Sequence, residues 1–195
     1  MDSSSFCKLA KRVNKVVLNY KYRPKDRYGK PGGLLEIPKK FKVILIGDLH
    51  GCLANLQCIL SENIKDLANN KSIMIILGDA FHNDQNGEML EMESSLESLK
   101  YLFDLIYRYP HRVFYIRGNH DTFSDHLRKS GIAQGKEFHQ LLLNRYNEAC
   151  VNEVEKFFEA LPMAVIGKGY FITHAGPARR GTSRDELINI ALRSG

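Results

Sequence analysis

No apolar stretch in the chain approaches the roughly 18 residues needed to cross a bilayer; the longest runs, 43–46 and 73–77, are strand-sized. A membrane-spanning helix is therefore not expected. The first residues also lack the apolar core of a secretion signal, because Lys8, Lys11, Arg12 and Lys15 interrupt it. Cysteine is scarce: Cys7, Cys52, Cys58 and Cys150 form no CxxC pair and no dense framework. Reduced thiols in a cytoplasmic protein are the expectation. No GxGxxG or GxxxxGK[ST] run follows a strand, which argues against a dinucleotide or P-loop site. Internal repeats and low-complexity segments are lacking too.

What is present is an ordinary globular composition, 44% hydrophobic and 26% charged over 195 residues, enough for one domain with a real core. The net charge of +6 is unevenly placed. Residues 1–42 hold 12 Lys/Arg against 3 Asp/Glu, a balance of +9, and the remainder holds 16 against 19, a balance of −3. Such a basic arm suits an acidic surface, whether membrane or partner. The plainer expectation is a basic extension packed on its own domain, with nucleic acid not expected as a partner.

Phe6, Leu9, Val13, Val16, Val17 and Tyr20 recur at helical spacing and predict an amphipathic helix over 5–20. A Gly/Pro-rich stretch, from Pro24 to Gly33, reads as a linker. The chain thus divides into a basic helix and linker, 1–40, and a main domain, 41–195. In that domain, buried strands end at Asp48, Asp79 and Asp121, with helices predicted over 52–68 and about 88–108. Helical patterns cover about 132–160, broken near Val151. Two short strands, 163–167 and 170–176, turn at Lys168-Gly169, and a last helix fills 183–193. Strand and helix in alternation is the grammar of a parallel sheet covered on both faces, so the class is α/β.

Polar residues gather just past the strand ends: Gly47-Asp48-Leu49-His50-Gly51, Gly78-Asp79, Gly118-Asn119-His120-Asp121 and Thr173-His174-Ala175-Gly176. Ligands of open α/β sheets sit beyond the carboxyl ends of the strands, so four such clusters converge on one edge. Carboxylate, imidazole and amide oxygen together suit Mn, Fe or Zn. Singly, each cluster has a plain explanation as a helix cap or turn; the ordered set does not. The run from His82 to Gly87, with Glu93 beyond, approaches an EF-hand loop, but it begins on His and follows a strand. It is expected to be a polar loop.

The series GDLHG, GD, GNHD and THAG resembles the calcineurin-like metallophosphoesterase signature, nearest the phosphoprotein phosphatase branch and its bacterial and phage relatives, over about residues 41–180. The resemblance implies an α-β-β-α sandwich with a parallel-rich first sheet and an incomplete second sheet. It implies two divalent metal ions, manganese first, with iron or zinc as alternatives. Asp48 and His50 would hold the first, Asn119 and His174 the second, and Asp79 would bridge them. His120 would be the general acid, oriented by Asp121. The bridge needs an anion with two oxygens, which Asp79 supplies, and an acid working near neutrality suits histidine.

The second motif departs from the family's GDxVDRG: His82 replaces the second Asp, Asn83 replaces the Arg that grips substrate, and Asp84 is the next carboxylate. Arg117 is a further candidate phosphate contact, whereas Arg179-Arg180 reads as solvated surface. The final His motif of the family is missing after Gly176, which implies an incomplete second site and an open strand edge prone to self-association. The expected activity is hydrolysis of phosphate monoesters, on a phosphoprotein or a small phosphorylated substrate. The alternatives are a dinucleoside-polyphosphate hydrolase or phosphodiesterase on the same ligands, and a non-catalytic binding module with a degraded site.

Overall fold

The computed structural model describes residues 1–83, 89–176 and 180–190. It is a mixed α/β fold with two three-stranded sheets. The first sheet holds β2 (Lys42–Ile46), β3 (Ser72–Ile76) and β4 (Val113–Tyr115), all parallel, with β3 in the centre. The second holds β1 (Leu34–Glu36), β5 (Ala164–Gly167) and β6 (Tyr170–Thr173), with β5 parallel to β1 and antiparallel to β6. Both β3 and β4 are buried along their whole length, as their unbroken apolar runs require. By contrast β2 is an edge strand that exposes Lys42 and Leu45.

Helices α2 (Leu53–Ala68) and α3 (Glu93–Arg108) follow β2 and β3 as the crossovers that parallel strands need. The long helical pattern after Ile132 divides into α4 (Gln134–Arg145) and α5 (Glu148–Ala160). The break falls at Tyr146-Asn147, earlier than the sequence indicated, because the Asn147 side chain caps α5 by accepting from the Cys150 N–H at 3.0 Å. The last helix, α6 (Arg184–Asn189), is shorter than expected and opens on a reciprocal cap between Ser183 and Glu186. Its predicted end, 191–193, lies outside the described residues, as do Asp84 and most of the EF-hand-like run.

The basic N-terminal helix, α1 (Ser3–Leu18), is part of the core. Phe6, Ala10, Val13 and Val17 are buried against α3 and α5, and the Phe6 ring stacks on Tyr146 at 4.3 Å. Its lysines occupy the opposite face, which is the amphipathic logic the spacing predicted. Arg23 then anchors the following loop. Its guanidinium donates to the carbonyls of Gly32 (2.5 Å), Val17 (3.2 Å) and Ala160 (2.6 Å), and burial lowers its pKa to about 10. Just beyond the Gly/Pro stretch, Leu34 to Glu36 form β1, too short a run to be legible as a strand.

The cysteines require a correction. Cys7 and Cys150, 143 residues apart, form a disulfide that ties α1 to α5, while Cys52 and Cys58 are free. Sequence spacing could not reveal the pair, because only the packing of α1 on α5 brings the two residues together.

Candidate active site

All four polar clusters sit past the carboxyl ends of strands: β2, β3 and β4 of the parallel sheet, and β6 of the mixed one. Backbone hydrogen bonds join the loops to one another. The N–H groups of Leu49 and His50 donate to the Asp79 carbonyl at 3.1 and 3.0 Å, and Gly51 N–H donates to the Ala80 carbonyl at 3.0 Å. The His120 N–H donates to Asp79 Oδ1 at 2.9 Å. Asp79 therefore stands at the junction of three loops, and it is nearly inaccessible to solvent.

Glycine is required where two of these loops touch. A Cβ on Gly78 would lie 2.3 Å from Gly118 N, and one on Gly118 would lie 2.1 Å from Asp79 Oδ1. The GD and GNH motifs thus need their glycines for close backbone approach. Three non-glycine residues in the site, His50 (φ +44°), Asp79 (φ +48°) and His82 (φ +68°), hold left-handed backbone, a conformation typical of functional loops.

Asp48, Asp79 and His174 each turn one ligand atom into a cluster in which all lie within 4.8 Å of one another. His174 Nδ1–H donates to the Leu77 carbonyl at 2.7 Å, so in the neutral ring the lone pair is on Nε2. That Nε2 lies 2.8 Å from Asn119 Oδ1 and 3.4 Å from Asp79 Oδ2. With the lone pair on Nε2, this nitrogen and the two oxygens beside it are all acceptors, an arrangement that a cation among them satisfies. The donor set therefore fits a divalent metal, and its mixture of N and O atoms suits a transition ion.

His50 lies next to this cluster: its Nδ1–H donates to the His82 carbonyl at 3.2 Å, and its Nε2 lies 3.9 Å from Asp48 Oδ2. The structure thus brings Asp48, His50, Asp79, Asn119 and His174 together. His120 stands beside them, its ring centroid 6.0 Å from that of His50. Burial lowers the pKa of its imidazole, against the pull of the Asp79 carboxylate.

Asp121 does not do what the sequence predicted. Its fully buried carboxylate accepts from Gly118 N–H (2.7 Å), Tyr115 O–H (2.8 Å) and Asp79 N–H (3.3 Å), with no hydrogen bond to the His120 ring. It is a brace for the loops. Burial pushes its pKa up to about 7 although the Gly118 N–H favours the charged form.

Asn83 directs its amide to Glu91 at 3.2 Å. Arg117 lines a cavity of about 390 Å³ with Thr122, Phe123, Lys136 and His139, which none of the five clustered residues borders. Arg180 is exposed. The residue that the sequence undervalued is His82, whose ring Nε2–H donates to the His120 carbonyl at 2.9 Å. Its only signal was its place three residues after Asp79.

Loops past three parallel strands, with carboxylates and imidazoles gathered at their ends, define a scaffold with a candidate metal site. The profile of the calcineurin-like phosphoesterase family matches residues 41–192, and the chain belongs to that family. The fold is also similar to that of a protein serine/threonine phosphatase from Saccharomyces cerevisiae described as similar to human phosphatase PP5. That likeness has a TM-score of 0.67 at 15% identity, over 97% of this chain and 53% of the other, so the chain spans about half the length of its relative. No curated protein matches by sequence. Among the described residues no helix is long and apolar enough to cross a membrane.

Proposed function

We propose that the chain hydrolyses phosphate monoesters, on a phosphoprotein or a small phosphorylated substrate, with two divalent transition-metal ions, manganese first and iron or zinc as alternatives. The observation that carries this reading is the convergence of His174 Nε2, Asn119 Oδ1 and Asp79 Oδ2, with Asp48 in the same cluster and His50 beside Asp48. Asp48 and His50 would hold one ion, Asn119 and His174 the other, and Asp79 both. Ions so held supply charge stabilisation to phosphoryl oxygens and activation of water.

The remaining chemistry falls to the chain. His120 gives a proton to the leaving oxygen, and its backbone is fixed by the bond from its N–H to Asp79 Oδ1. The His50 and His174 rings are held in the Nδ1–H tautomer by carbonyls, which leaves Nε2 of each as the ligand atom. Phosphate contact by Asn83 or Arg117 is part of the reading, as are a cytoplasmic setting and pairing of copies along the edge of β6. Exposed Phe171 supports the last point.

The test is turnover of para-nitrophenyl phosphate against its bis ester, with added manganese, in the wild type and in Asp79→Asn. Monoester turnover that disappears in the variant together with bound metal is the expected result. Preference for the bis ester points to a phosphodiesterase, and metal binding without either activity points to a binding module. An Asp79→Asn protein with unchanged metal content overturns the ligand assignment.

A further inference from the structure

Of the seven histidines, His82 alone is fully buried, and it takes part in three hydrogen bonds that join three different parts of the site. Its N–H donates to Ser95 Oγ on α3 at 2.8 Å. Its carbonyl accepts from His50 Nδ1–H at 3.2 Å. Its Nε2 lies 2.9 Å from the His120 carbonyl, which can only accept, so the proton is on Nε2. The other ring nitrogen, Nδ1, is buried with no hydrogen-bond partner. The ring is walled in edge-to-face by Phe138 at 5.5 Å and lies 6.1 Å from the His120 ring.

A buried imidazole with one nitrogen left unsatisfied carries a desolvation penalty that an apolar ring would avoid. Its backbone, at φ +68°, is strained as well. Core packing alone explains neither feature. Both follow if the residue must place a carbonyl toward His50 and an N–H toward His120 at once. A right-handed backbone at this position would turn the carbonyl elsewhere. Ser95, itself buried, holds the peptide in place from α3.

We propose that His82 is the positioning residue of this site, setting the distance between the metal-binding His50 and the acid His120. The proposal rests on the phosphoesterase reading for its catalytic consequence. It acts through two links: the carbonyl fixes the tautomer and ring angle of His50, and the Nε2–H holds the backbone of the 118–121 loop. His82 itself touches neither substrate nor metal.

The test compares His82→Gln, whose amide N–H reaches where Nε2–H does, with His82→Phe, which fills the volume without a donor. Both carry a similar backbone penalty at positive φ, so their difference isolates the hydrogen bond. His82→Phe is expected to lower kcat about tenfold, the equivalent of one buried hydrogen bond, with KM changed less than about twofold. His82→Gln should recover most of that loss. Equal losses in both variants, or none in either, overturn the proposal.

A second readout is independent of turnover and of whether His82→Phe folds. In the metal-free wild type, nitrogen-15 imidazole spectra should show His82 in the Nε2–H tautomer and His50 in the Nδ1–H tautomer. A proton on His82 Nδ1 refutes the link to His120. If the protein shows no esterase activity while both tautomers are as expected, the functional reading fails and the positioning geometry stands.

Discussion

Replacing Asp121 with Asn should change how stability depends on pH, and by an amount the structure sets. Burial raises the folded pKa of Asp121 to about 7, against 3.8 for the ordinary carboxyl. The folded chain therefore binds this proton more tightly than the unfolded one. The resulting stability is fully present below about pH 4 and is lost as pH rises through 7. About three units at about 1.36 kcal/mol each gives at most roughly 4 kcal/mol. His82 works in the opposite sense, since burial lowers its pKa to about 4 from 6.5. Its contribution is present above pH 6.5 and is lost as pH falls through 4, for at most about 3 kcal/mol. In the wild type the two offset each other. In Asp121→Asn the amide oxygen still accepts from Gly118 and Asp79, and only the acid sensitivity of His82 remains. Urea unfolding of chelator-treated protein between pH 4 and 8 measures this. The variant should gain up to about 4 kcal/mol relative to wild type between the acid and alkaline ends. A difference between the two proteins that stays constant with pH refutes the reasoning.

Four further outcomes are expected. His120→Asn should lower kcat for an alkyl phosphate by about 10²–10⁴ with little change in KM, and less for an aryl ester; equal losses on both esters, measured by steady-state kinetics, would argue against the acid role. Gly118→Ala places a Cβ 2.1 Å from Asp79 Oδ1, so bound metal by elemental analysis should fall even where circular dichroism shows a folded protein. Cys7→Ser removes a link spanning 143 residues and should lower stability by up to about 5 kcal/mol on chain-entropy grounds, with wild type in reductant behaving likewise on thermal unfolding. Phe6→Ala should cost about 3–5 kcal/mol in the same assay, because the ring is fully buried.

The α/β class and the approximate places of the main helices and longer strands were legible because hydrophobic periodicity is a local property. The runs at 43–46 and 73–77 read as strands, of which the second is buried and the first lies at the sheet edge with Leu45 exposed, and Asp48, Asp79 and His174 stand at strand ends, where they converge. What the sequence hid depends on contacts between distant residues. Cys7 and Cys150 meet only because α1 packs on α5. Three-residue β1 has no periodicity to detect and exists because β5 pairs with it from Leu34↔Ala164 to Glu36↔Ile166. Asp121 looked like the partner of His120 because it is adjacent in sequence. The backbone carries its carboxylate inward instead, to Tyr115 and the N–H of Gly118.

The same inward turn explains how strained loops are kept in place. Left-handed backbone at His50, Asp79 and His82 costs of order 1–3 kcal/mol at each. Against that cost stand cross-loop bonds that no single loop could form alone: Leu49 and His50 to the Asp79 carbonyl, Ala80 N–H to Tyr115 Oη, and His82 to Ser95. Tyr115 lies on β4 and Ser95 on α3, so the strain at the site is balanced by elements fixed in the core. A loop held from below in this way cannot relax to separate its acceptors. On the proposed reading, the closeness of His174 Nε2, Asn119 Oδ1 and Asp79 Oδ2 is then met by binding a cation rather than by motion of the loops.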